Sequence, residues 1–156
     1  MDQLSAIIKT SLENRNYFAS CLDELSLSFL FEIPSGYNNN IIWQIGHVVS
    51  VQQQLVYGLS GLPLLVSKDF IKKYGRGSSP ERNINSADVE EIKLLLFRTI
   101  EQTKTDLEND VFKSFRVYKT LAGTELHNVK DALLFNNFHD KLHMDRIQKL
   151  KKAIKS

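Results

Sequence analysis

The chain has a single cysteine, Cys21, so it can form no internal disulfide. That fits a reducing compartment. No apolar stretch approaches the roughly 18 residues of a membrane span. The Met-Asp-Gln-Leu-Ser-Ala-Ile-Ile-Lys start lacks a basic leader followed by an apolar run. A secretory signal is therefore not expected, and the cytoplasm is the default location. There is no large excess of either charge: 20 basic side chains face 18 acidic ones, for a net +2. That balance offers no electrostatic case for nucleic acid. The basic run Lys149, Lys151, Lys152 and Lys155 reads instead as a solvated helix end that complements the helix dipole. Internal repeats, low-complexity tracts and sustained two-residue alternation are all missing, so strands should be minor.

What is present reads as helix. The length, 156 residues, predicts one domain over 1–156 with a real core. The first helix is expected from about Asp2 to about Leu25, with Leu4, Ile7, Ile8, Phe18, Leu22 and Leu25 near one face. The second follows the N-cap run Asn38-Asn39-Asn40 and ends near Tyr57, where Gly58 and Gly61 stop it. The third opens near Asn85 or Ser86 and buries Val89, Ile92, Leu96, Ile100, Thr103 and Leu107. The fourth opens at Asn128, backed by Asp131, and runs to about Ala153. Residues 58 to 84 form a long joint, with a short helix expected around Lys68 to Tyr74. Such a joint lets the second and third helices run in the same direction, and it can act as a lid.

Three histidines carry the chemistry. His139 and His143 are four residues apart, so a helix stacks them on one face. On a wheel they fall among Val129, Ala132, Ile147, Leu150 and Ile154, with Asn136 also inward. Buried imidazoles need partners for their nitrogens. A divalent ion would satisfy one nitrogen of each ring, and Asp140 or Asn136 could hold the other. His47 is harder to place. Its aliphatic neighbours Ile41, Ile42, Ile45, Val48 and Val49 face largely the other way, and it shares a side with Trp43, Val51 and Gln54. Either it lies at the surface, or its helix is covered on both sides and it looks into a pocket walled by Trp43. A histidine on an apolar face is often just a hydrogen-bonded core residue. His127 reads as a loop residue and Cys21 as a buried helix residue. The run His139-Asp140-Lys141-Leu142-His143 is also similar to the H-E-x-x-H of zinc proteases. However, Asp is shorter than Glu, and no histidine or glutamate follows as a third ligand.

Two stretches resemble a known family. Asn40-Ile41-Ile42-Trp43-Gln44-Ile45-Gly46-His47 resembles the start of the second helix in the DinB-like (YfiT-like) superfamily. Phe138 to Ile147 resembles that family's last-helix pattern of two histidines four apart. The resemblance implies an all-α, up-up-down-down four-helix bundle with a long crossover between helices 2 and 3. It implies a divalent ion held by His47, His139 and His143, with a homodimer common. Characterised relatives include thiol S-transferases that use low-molecular-weight thiols such as bacillithiol, and mycothiol-dependent isomerases. Relatives often carry a small residue and Gln after the second paired histidine, where this chain has Asp145-Arg146.

The leading expectation is a metal-dependent thiol S-transferase or hydrolase acting on a small molecule. Zinc and nickel head the metal candidates, since imidazole suits both. The alternative is a non-enzymatic dimeric bundle, metal absent or structural, with the Ile45 and Val49 face as its seam. A third reading leaves the histidines as hydrogen-bonded core residues.

Overall fold

The computed structural model describes residues 2–155. Six α-helices make up most of it: α1 (Asp2–Glu24), α2 (Leu27–Phe31), α3 (Ile41–Gln53), α4 (Lys68–Tyr74), α5 (Ser86–Glu108) and α6 (Val129–Lys155). The strands are two-residue pieces, β1 (Tyr118–Lys119) and β2 (Glu125–Leu126), paired antiparallel. None of the described helices is long and apolar enough to cross a membrane.

Local chemistry sets the helix starts. The Asn40 side chain accepts from the Trp43 N–H at 3.0 Å, and its amide reaches back to the Phe31 carbonyl at 3.0 Å. One residue thus caps α3 and ties it to the end of α2. Asn85 and Asp88 form a capping box on α5. The Asp131 N–H donates to Asn128 Oδ1 at the start of α6. The joint before α3 contains α2, which was not foreseen. Five residues are too few to show a helical period, and Pro34 and Gly36 dominate the composition nearby. Beyond Gln53 the second long helix widens into a π turn, Gln54–Gly58, before Gly61 turns the chain at φ +69°.

The four long helices form a bundle in which α1 and α3 each pack against α5 and α6. Cross-helix bonds fix their directions. Lys130 meets Gln3, and Asn14 meets Asp140, so α1 and α6 run parallel. Arg15 reaches the Leu96 carbonyl and Lys93 pairs with Asp23, so α5 opposes α1. Gln52 meets Thr103, and Tyr57 meets Asp106, so α3 and α5 run together, as the long crossover allows. Along the chain the directions therefore read up-down-down-up. The like-directed helices stand side by side around the bundle, but the expected up-up-down-down chain order is corrected. The reason is the connection around α2, which turns the chain back at one end and sends α3 down beside α6.

The apolar core is split. One cluster joins Phe18, Leu22, Ile45, Val49, Ile92 and Leu150. The other joins Ile7, Ile8, Val56, Ile100 and Leu133 at the opposite end. Between them lies a belt of buried polar side chains. Arg15, 1% exposed, donates to the Leu96 carbonyl at 2.9 Å and to Thr99 Oγ1 at 3.2 Å. Asn14 donates to Asp140 Oδ2 at 3.2 Å. Every residue from Ile41 to Ser50 is buried, so α3 has no solvent face. Ile45 and Val49, at 0% exposure, belong to the chain's own core and cannot be an intermolecular seam.

Candidate metal centre

The three histidines converge where the middle of α3 crosses α6. Their ligand atoms all lie within 4.8 Å of one another. His139 and His143 approach Nε2 to Nε2 at 3.0 Å. The His47 ring lies 4.8 Å from the His143 ring and 5.5 Å from the His139 ring, centroid to centroid. His47 and His143 are buried and His139 is half-buried.

Two of the three rings are oriented from behind. His47 Nδ1 donates to the Tyr74 carbonyl at 2.9 Å. His143 Nδ1 donates to Gln44 Oε1, and the Gln44 amide in turn donates to Asn39 Oδ1 at 2.8 Å. Each bond commits Nδ1 as the protonated nitrogen and leaves a lone pair on Nε2. Tyr74 reaches His47 because residue 46 is glycine: a Cβ there would lie 2.5 Å from two atoms of the Tyr74 ring. Trp43 stacks on His47 at 4.6 Å and 14° between planes, and its Nε1 donates to Ser78 Oγ at 3.0 Å. The crossover is thus tied to α3 at Tyr74 and again at Ser78.

The site keeps its imidazoles neutral. Burial lowers His47, opposed by its bond to Tyr74, with Arg146 and Arg76 adding to the lowering. Burial, then His47 and Arg146, brings His139 down to about 4. Burial, with His139, His47 and Arg146 behind it, brings His143 to about 2. Arg146 acts in this direction on all three rings and Arg76 on His47.

A family model described as the DinB superfamily matches residues 12–147, most of the chain. The chain belongs to the DinB superfamily. Comparison with curated proteins finds no match. All three histidines lie inside the matched DinB span.

The donor set fits a divalent transition ion. Three neutral nitrogens suit a first-row divalent ion, and tetrahedral ligands at about 2.1 Å from an ion stand roughly 3.4 Å apart. The separations in this DinB chain, 3.0 Å for the close pair and up to 4.8 Å within the trio, bracket that value.

The other candidates fall out differently. Trp43 walls His47, as the second of the two sequence readings has it. Asp140 was considered as a partner for a histidine, but it bonds to Asn14 and faces Arg15. Adjacent residues on a helix diverge by about 100°, so sequence adjacency to His139 turns Asp140 toward α1. Burial raises its carboxyl to about 6, against the pull of Arg15 and Asn14. Asn136 is buried, but neither of its amide atoms has a partner among the described residues. His127 is exposed and pairs with Glu125. Gln44, Gly46 and the Tyr74 carbonyl were not singled out from sequence. The signal available for Gln44 was its place three residues before His47, one turn away on the same helix.

Proposed function

We propose that this DinB-superfamily chain is a divalent-metal enzyme acting on a small molecule, with His47, His139 and His143 as the ligands. Thiol transfer or hydrolysis is the reaction class that fits. One observation carries the reading. Three neutral imidazoles from two distant stretches meet, and two have Nδ1 held by an acceptor, which leaves the Nε2 lone pair free for an ion. When bound, the ion supplies Lewis-acid activation of a water or thiol. Neutral ligands leave the ion's charge uncompensated, which strengthens that effect. Tyr74 and Gln44 hold the rings in place, and Trp43 covers one face of His47 and keeps water from it.

The 3.0 Å contact between His139 and His143 also supports a second reading. One ring can donate its Nε2–H to the other, and the trio is then a hydrogen-bonded core. One experiment separates the two. Metal is measured in protein purified without a histidine tag, beside a His143→Ala variant. The metalloenzyme reading expects close to one ion per chain in the parent and a large loss in the variant. Equal metal content in both refutes it. Cobalt uptake with its visible spectrum then reports how many imidazoles bind.

A further inference from the structure

Two exposed arginines, Arg146 and Arg76, lie on the segments that build the trio. Arg146 lies three residues beyond His143 on α6, one helical turn on, and is exposed. Arg76 lies midway between Tyr74, which holds His47, and Ser78, which holds Trp43. Its guanidinium is placed by a 3.4 Å hydrogen bond to the Tyr118 hydroxyl. Neither arginine forms an ion pair with a carboxylate among the described residues. The acid beside His139 turns elsewhere: Asp140 bonds to Asn14 and faces Arg15. A divalent ion on three neutral ligands would add two more positive charges.

We infer that the substrate of this site carries an oxyanion, a carboxylate or a phosphate, which Arg146 and Arg76 receive at the mouth of the histidine cluster. The inference rests on the metal-site reading and adds the substrate's chemical class. Guanidinium is suited to this task because its planar donors match both oxyanions. Unpaired positive charge also raises the local concentration of anions. Both arginines are exposed while the imidazoles are buried or half-buried, so they would position the substrate's charged end and leave its reacting end to the centre.

The test uses Trp43, the single tryptophan, as a reporter stacked on His47. Cobalt-loaded protein is titrated with thioglycolate and with neutral 2-mercaptoethanol, following Trp43 emission and the cobalt bands. Thioglycolate should bind roughly tenfold tighter. Arg146→Gln and Arg76→Gln should each weaken thioglycolate by roughly three- to tenfold and leave 2-mercaptoethanol unchanged. Equal affinities for the two thiols in the parent, or variants that weaken both thiols alike, overturn the inference. Inorganic phosphate that displaces thioglycolate supports the oxyanion assignment and points to a phosphorylated substrate; tight thioglycolate that resists it points to a carboxylate. Failure to take up cobalt would remove the metal reading alone. The same titration of metal-free protein, read by Trp43 emission, then decides the oxyanion question.

Discussion

Gly46→Ala tests how the site is built. In an exposed helix this change would stabilise by about 1 kcal/mol, because alanine is the better helix former. Here the new methyl would lie 2.5 Å from Cγ and Cδ1 of Tyr74 and 3.0 Å from Cδ2. Turning the ring about χ2 leaves Cγ in place, and Tyr74 is 1% exposed, so a χ1 change has nowhere to put the ring. The α4 backbone must retreat, at the overpacking cost of about 1–3 kcal/mol. After the propensity gain is subtracted, the variant should be destabilised by up to about 2 kcal/mol, or up to about 8 °C in Tm for a chain of this size. The same retreat carries the Tyr74 carbonyl away from His47 Nδ1, so metal affinity should fall by about tenfold. Urea denaturation gives the first quantity and competition with a chromophoric chelator gives the second. Adding Tyr74→Leu removes the clashing ring but keeps the carbonyl, so it should recover part of the stability and part of the affinity. If Gly46→Ala is as stable as the parent and binds metal equally well, the close approach is not what holds His47, and the reasoning fails.

Three further outcomes are expected. Gln44→Leu removes the acceptor of His143 Nδ1–H and frees the ring to change tautomer; chelator competition should show metal affinity reduced by about 10- to 100-fold, and an unchanged affinity would mean that Gln44 does not orient the ring. Asn136→Leu replaces a buried amide that has no partner with an apolar group of similar size, and urea denaturation should show a gain of about 1 kcal/mol; a loss would mean that the amide is hydrogen-bonded in solution. Metal-free protein should melt at a lower temperature at pH 5 than at pH 7. The three histidines are held below 6.5 when folded, so the folded state binds fewer protons and stability falls as pH drops through that value. Asp140, raised to about 6, works the other way and recovers some stability below pH 6, but it is one group against three. An equal or higher Tm at pH 5 would contradict this.

The pairing of His139 and His143 was legible because a four-residue spacing has a single meaning on a helix. His47 was ambiguous for a physical reason. A helix wheel separates an apolar face from a wet one, and α3 has no wet face, so its polar stripe could be read as surface. The partners of His47 and His143 were less visible still. One is a backbone carbonyl, which carries no side-chain signature, 27 residues down the chain. The other, Gln44, looks in sequence like any amide near a helix start. The long helices were readable from their caps and periods. The π turn at Gln54–Gly58 was not, since no residue type there demands the wider turn. The direction of α3 depended on a short helix that composition alone hides.

The two tethers from the crossover to α3 have a further consequence. His47 is aimed by a carbonyl on α4, so the rigidity of that segment and the grip on an ion are one linked equilibrium. Linkage is reciprocal. If loading the centre slows amide exchange across residues 67–78, then any change that loosens those residues, however far from the imidazoles, must weaken binding by the same factor. The connection between the second and third long helices is therefore a place where affinity could be tuned without altering a single ligand.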